Sequence, residues 1–271
     1  MQGNEKFLRR VASYAHKHAL WREGERILAA VSGGPDSLAL LLALKLLAVK
    51  EKINIGCCCV NHHLRAAAGK EAEFVESVCR EWNIPFILKE VDVQSAVRNG
   101  GSIETAARDL RYKALREAAR GGGYAKIAVA HHGDDQAETV LYHLLRGSGV
   151  TGLSGMKPIN GDIIRPFLCV SKNEIKDFLK DFSYVPCHDE SNDVEDAVRN
   201  RIRLSLVPEL ISYNPRVTES LRRTADIFRE EDLFMEEKAD VFISSCVEHD
   251  NDKCVFFIAY FLVLHIALPV S

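Results

Sequence analysis

The chain lacks most of the features that assign a sequence to a class at first sight. No Cys-x-x-Cys pair occurs among its eight cysteines, so neither zinc-ligand nor dithiol redox spacing is present. No sign of charge dominates. The 35 Lys and Arg stand against 38 Asp and Glu, a formal net charge of -3, so any footprint for a polyanion has to be local. The first 26 residues mix Lys6, Arg9, Arg10 and Lys17 with acids and contain no apolar core segment, which excludes a secretory signal and points to the cytosol. The one membrane-like stretch, Cys254 to Val270, is shorter than the roughly 20 residues of a spanning helix. It also contains His265 and Pro269, so it reads as a buried helix or strand. No internal repeat and no low-complexity tract is visible.

What is present is the composition of a globular protein. The 271 residues, 47% hydrophobic and 27% charged, suffice for one large domain or for one domain with a smaller appendage. Without ligand spacing, the cysteines, including the adjacent Cys57, Cys58 and Cys59, read as small buried apolar side chains.

Apolar runs and helix-period segments alternate as far as about residue 180, the pattern of a parallel, Rossmann-like sheet with helices on both faces. Strands are predicted at 26–31, 53–60, 85–93, 124–130 and 163–169. Helices are predicted at 37–50, 70–82, 102–120 with Ser102 as N-cap, 134–145 and 172–182. From Arg199 the composition is helical, broken by Pro208 and Pro215, and no strand–helix repeat returns. The expected organisation is therefore a catalytic α/β domain over residues 1–209 and a small helical domain over 210–271. Between Arg199 and Arg223 six arginines face Glu209 and Glu219, a local balance on which a polyanion could dock. The run from Glu230 to Lys253 holds nine acids against two lysines and would repel phosphate.

Two segments carry the chemistry. Ser32-Gly33-Gly34-Pro35-Asp36-Ser37 joins the first strand to the first helix, at the carboxyl edge where open α/β sheets bind ligands. Glycines admit an anion close to the backbone, the helix N-terminus offers N–H groups, and Ser32 and Ser37 add hydroxyls. Asp36 would repel phosphate unless a cation such as Mg²⁺ lies between them, so a metal–nucleotide complex is expected. No Lys follows the second glycine, so this is not a Walker A loop, and the spacing is not a dinucleotide fingerprint. It resembles the PP-loop of ATP pyrophosphatases.

The second segment, Ala130-His131-His132-Gly133-Asp134-Asp135-Gln136-Ala137-Glu138-Thr139, leaves the fourth strand and opens a helix. Adjacent histidines at a strand end point to opposite faces, which disfavours a two-His metal site. Asp134 and Asp135 either cap the helix or, for one of them, share Mg²⁺ with Asp36.

The second segment continues through Leu144-Leu145-Arg146-Gly147-Ser148-Gly149 and Gly152-Leu153-Ser154-Gly155-Met156, and this resembles the signature of the tRNA(Ile)-lysidine synthases. Val60-Asn61-His62-His63-Leu64-Arg65, Glu104 to Tyr112, Arg165-Pro166-Phe167 and Arg199-Asn200-Arg201-Ile202-Arg203 with Val207-Pro208-Glu209-Leu210 are similar to further motifs of that family, in order. The resemblance implies a PP-loop adenine-nucleotide hydrolase-like fold and a ligase that forms a carbon–nitrogen bond. ATP would activate C2 of the wobble cytidine of an isoleucine tRNA with a CAU anticodon. Pyrophosphate would leave, and free L-lysine would displace AMP to give lysidine.

It further implies ATP contacts at Ser32, Gly33, Gly34, Pro35, Asp36, Ser37, His62, Arg108 and His132. Mg²⁺ would sit on Asp36 and Asp135, and catalytic roles would fall to Asp36, Asp135, Arg111 and Arg201. Arg203, Arg216, Arg222 and Arg223 would contact tRNA. Lysine's amine, with a pKa of about 10.4, must lose a proton to a nearby carboxylate or histidine. Many members of the family continue into a further tRNA-binding domain, whereas Cys254 to Ser271 is an apolar tail without a matching basic motif. Either the chain is truncated or this member is short, and the helical domain would bind tRNA or form a dimer. The rival readings are a tRNA thiolase of the same loop class, which the cysteine pattern disfavours, a small-substrate AMP-forming synthetase, and a non-catalytic nucleotide sensor.

Overall fold

The computed structural model describes residues 2–62, 68–93, 103–184, 186, 197–250 and 253–256. Four parallel strands start the sheet: β1 (Arg26–Ala30), β2 (Asn54–Asn61), β3 (Phe86–Glu90) and β4 (Lys126–Ala128). A short hairpin, β5 (Ile159–Asn160) and β6 (Ile163–Ile164), completes the order β3-β2-β1-β4-β6-β5, with β6 parallel to β4 and β5 antiparallel at the edge. The order reverses between β1 and β4, so the chain leaves these neighbouring strands in opposite directions and a crevice opens at their carboxyl ends.

Side chains alternate across the sheet with the period of two that a strand dictates. Ile27, Ala29 and Cys57 pack on one face beneath α1 (Gln2–Lys17), α2 (Pro35–Glu51), α3 (Ala68–Glu81) and α7 (Lys172–Leu179). Leu28 and Cys58 pack on the other, against Leu115, Ala118 and Ala119 of α4 (Ile103–Gly122). The expected sheet with helices on both faces is thus the observed one. Helix α2 is apolar nearly all round because it lies beneath both α1 and α7, and Leu38 to Leu44 are all buried. Helix α1 was not among the expected elements; Phe7, Val11 and Ala15 recur one turn apart and are all buried, with Phe7 stacked on Phe178 at 4.5 Å.

Three predicted elements differ. The strand expected at 163–169 is only Ile163–Ile164, because Pro166 cannot donate to a ladder and the chain turns into a 3-10 segment, Pro166–Cys169. Pro208 does not break the helical run: α8 (Ala197–Arg201) passes through a π-helical segment, Ile202–Leu206, into α9 (Val207–Tyr213). The wider π turn accommodates the missing N–H and the ring. The region expected to be helical to its end contains an antiparallel hairpin, β7 (Val247–Asp250) and β8 (Lys253–Phe256). The turn residues Asp250-Asn251-Asp252 between Val247 and Val255 carry that signal in the sequence. Ser102, the segment from His63 to Arg65 and most of the apolar tail lie outside the described residues.

The chain crosses from α5 (Gly133–Leu145) and α6 (Val150–Leu153) to the long helix α10 (Val217–Cys246), which packs on both. Ala225, Arg229 and Asp232 are buried in that contact. No helix among the described residues is long and apolar enough to cross a membrane.

Candidate active site

The loop after β1 is folded around Ser37. The Ser37 hydroxyl donates to the Gly34 carbonyl at 3.0 Å and accepts from the Ser32 amide at 3.1 Å, and the two seryl oxygens are 3.2 Å apart. Gly33 has φ +88°, a left-handed conformation that a side chain disfavours. No side chain caps α2, and Pro35 sits in its first turn, so the amides at this helix start are left for an external anion.

From β4 the backbone runs through Val129 and Ala130 to His131 and His132. His132 is the N-cap of α5 and forms a capping box: Asp135 Oδ2 accepts from the His132 amide at 2.8 Å, and His132 Nδ1 accepts from the Asp135 amide at 3.4 Å. Its Nε2 lies 3.7 Å from Asp36 Oδ2, and Nδ1 lies 3.6 Å from Asp134 Oδ2. Burial disfavours the imidazolium, yet Asp135, Asp36 and Asp134 more than offset it and raise the His132 pKa above its ordinary value. Burial pushes the Asp36 carboxyl the other way, but the hydrogen bond and charge of His132, with Lys172 and Arg203, hold its pKa below the usual range.

His131 faces a cationic wall. Burial comes first, then Arg165, Arg111 and Arg108, and together they bring its pKa down to about 3. Its Nδ1 is buried without a hydrogen-bond partner among the described residues. The expected divergence of the two histidines is what the structure shows, and it separates an acidic lobe at His132 from a basic lobe at His131.

Of the predicted site residues, the fold brings together Ser32 to Ser37, His132, Asp135 and Arg203 on the acidic side, and Arg108 and Arg111 on the basic side, both over the Tyr112 ring. His62 follows β2 at the same sheet edge. Arg203 is turned inward. Its Nε and Nη2 reach the two Glu138 oxygens at 2.8 and 3.0 Å, and Nη2 reaches Asp135 Oδ1 at 3.4 Å. Arg201 and Arg216 are exposed. Arg222 and Arg223, adjacent in α10, part company: Arg223 is exposed, whereas Arg222 lies against the backbone of Gly133.

Asp134 and Asp135 both serve helix starts, Asp134 Oδ2 accepting from the Lys172 amide of α7 at 2.6 Å. The sequence reading passed over Glu138 and Arg165. Glu138 falls one turn after Asp134 on α5, a spacing that places both on one helical face. Arg165 is buried and donates to the Lys157 carbonyl at 2.8 Å.

Among the described residues no group of three or more His, Cys, Asp or Glu side chains forms a metal cage. A phosphate-bound Mg²⁺ needs less, since one or two carboxylates suffice when the nucleotide supplies oxygens. Asp36 fits, because its Oδ1 is buried and has no hydrogen-bond partner among the described residues. Asp135 is engaged at both oxygens. Cys57, Cys58, Cys59 and Cys79 are buried as expected, and burial pushes the Cys58 thiol up to about 12, far from a reactive thiolate.

A uncapped helix start behind a Gly-rich loop, at the reversal point of a parallel sheet, defines a nucleotide-binding α/β protein, and residues 4–210 match the PP-loop domain. The tRNA(Ile)-lysidine synthase of Caldanaerobacter subterraneus subsp. tengcongensis is 40% identical over 252 residues, covering 92% of this chain and 53% of that protein. The tRNA(Ile)-lysidine synthase of Petrotoga mobilis is 37% identical over 231 residues, 83% of this chain and 74% of that protein. The fold is also similar to the U34-tRNA thiolase NcsA of Methanococcus maripaludis, with TM-score 0.67 at 17% identity over 83% of this chain and 80% of that one. The chain belongs to the tRNA(Ile)-lysidine synthase family of PP-loop proteins. It spans about half the length of the first curated relatives it matches.

Proposed function

We propose that this chain carries the catalytic part of an ATP-dependent lysidine synthesis on an isoleucine tRNA. The observation that supports the reading is the division of one crevice into a phosphate cradle, an acidic lobe and a basic lobe, as a reaction of two anions with a cationic amine requires. ATP's phosphates lie on the Ser32–Ser37 loop and the start of α2. Asp36 would hold Mg²⁺, which would supply charge neutralisation for the departing pyrophosphate. Arg108, Arg111 and Arg165 stabilise charge that develops on the anionic side, next to a neutral His131.

Free lysine enters as a cation and is drawn to the acidic lobe, where Asp135 and Glu138 now hold the guanidinium of Arg203. Lysine's ammonium competes with Arg203 for these carboxylates, and one of them receives the proton before the amine attacks C2 of the adenylated cytidine. Arg216 and Arg223 contact tRNA phosphates, and residues 210–271 form an appended unit that carries this contact.

The test is direct: protein, ATP, Mg²⁺, labelled lysine and a set of tRNAs are incubated, and label is expected in the isoleucine tRNA with the CAU anticodon. Asp36→Asn should lower pyrophosphate release by about 10² or more, the scale of a lost charge-stabilising group, with the fold intact by circular dichroism. Label entering no RNA, or Asp36→Asn retaining full activity, overturns the assignment.

A further inference from the structure

A second cationic recess lies behind the active site. It is a cavity of about 140 Å³ between α1, the 3-10 segment and α10, lined by Arg10, Tyr14, Lys17, Cys169, Arg222 and Arg229 among others. That is several times the ~30 Å³ that one water occupies in the liquid. No residue of the Ser32–Ser37 loop lines it, and neither does His132 or Asp135.

Its charges are unequally matched. On the rim, Arg10 pairs with Glu174 at 2.6 Å and Lys17 with Glu230 at 3.7 Å. Asp226, the carboxylate in the lining, already accepts from Arg229 Nη1 at 2.7 Å. Arg222 has no such partner. It forms no hydrogen bond or ion pair with a described residue, and its side chain is pressed against the Gly133 backbone, so close that a Cβ there would meet Nη1 at 2.5 Å.

Arg229 is 7% exposed. Its Nη2 donates to the carbonyls of Ser154 and Met156, but its buried Nε has no acceptor among the described residues. A guanidinium without a counter-charge, set beside a second guanidinium, is costly, and an anion bound in the cavity would offset both charges. Tyr14 and His18 add donors, because burial keeps the phenol protonated and, with Lys17 and Arg229, keeps the imidazole neutral.

We propose that this cavity is a binding site for a small free oxyanion of the phosphate class, held chiefly by Arg222 and Arg229. Bidentate guanidinium forks match such an anion. A half-enclosed recess of this size suits a free ion better than a phosphodiester carried on a polymer. The bound ion bridges α1 to α10 and stiffens the docking of the long helix on the catalytic domain.

The experiment is calorimetric titration of the 271-residue chain with inorganic phosphate at constant ionic strength set by chloride. One saturable site is expected, unaffected by saturating ATP. Arg222→Gln should weaken it by about tenfold or more, the worth of a charge-assisted hydrogen bond. Arg222→Lys should recover part of the loss, since charge returns without the fork. Arg10→Gln, a rim substitution, should also weaken binding and serves if Arg222→Gln does not fold. The absence of a saturable site, or wild-type affinity in both Gln variants, overturns the proposal. So does displacement by ATP, which would assign the heat to the nucleotide loop, or displacement by tRNA, which would assign the cavity to an RNA phosphodiester. None of these readouts depends on lysine transfer, so failure here leaves the proposed activity standing.

Discussion

Consecutive side chains at a strand end leave on opposite faces, and at His131 and His132 that alternation separates two protonation states. His131 has its pKa lowered from 6.5 to about 3 by burial and by Arg165, Arg111 and Arg108. Between those values the unfolded chain binds a proton that the folded chain refuses. The stability this neutral ring contributes is therefore present above pH 6.5 and is lost as pH falls toward about 3. His132 has the reverse sign: its raised pKa contributes stability below its unfolded value that is lost as pH rises through the folded one. Urea midpoints measured as pH is lowered from 6.5 should fall less steeply for His131→Asn than for the wild type, and parallel curves would refute the assignment. Glu138 tests the acidic lobe. Glu138→Gln should raise the KM for lysine by about tenfold, as expected for one lost charge-assisted contact. Pyrophosphate release with ATP and tRNA in the absence of lysine should persist. Equal losses in both would make Glu138 a residue that merely positions Arg203.

Helix α5 is the element on which the site, the capping box and the long helix converge. Its first residue has to be glycine for a tertiary reason: a Cβ at Gly133 would meet Arg222 Cδ at 2.6 Å and the Val170 carbonyl oxygen at 2.9 Å. Gly133→Ala should destabilise the protein by ~1–3 kcal/mol, the usual range for overpacking. Arg222→Ala in the same chain should recover only part, because the Val170 carbonyl stays. A double-mutant cycle from denaturant unfolding measures this, and full recovery would show that the side chain alone set the constraint. Three residues further along α5, the Gln136 side-chain amide accepts from the Met156 amide at 2.7 Å and donates toward the Ser154 and Met156 carbonyls. Arg229 of α10 donates to the same two carbonyls, so one turn ties the catalytic helix to the long one.

Across the molecule, the basic stretch from Arg199 to Arg223 is divided by the fold. Arg203 is consumed by Glu138 and Asp135, Arg222 is seated on Gly133 beside the cavity, Arg199 lies over the Tyr142 ring, and Arg216 and Arg223 face solvent. The salt dependence of tRNA binding should follow this division. Arg216→Ala and Arg223→Ala should each weaken binding and reduce the magnitude of the logarithmic salt slope by up to about 1, with ATP affinity unchanged. Unchanged slopes in both variants would place the tRNA on another surface.

Although α1, α6 and the short hairpin at 159–164 were not expected, the alternation of β1 to β4 with α2 to α5, the loop at Ser32 to Ser37 and the helix start at His132 were legible in the sequence. Their signals are local: apolar period, glycine at a turn and polar groups at a helix end act between residues a few positions apart. The inward turn of Arg203 onto Glu138 and the seat of Arg222 on Gly133 were not, since those partners lie 65 and 89 positions away. Local charge counts an arginine as a cation wherever its side chain goes. Only the packing of α10 and the π-helical segment against α5 decided which of them meet a carboxylate, which meet a backbone and which are left to meet a phosphate.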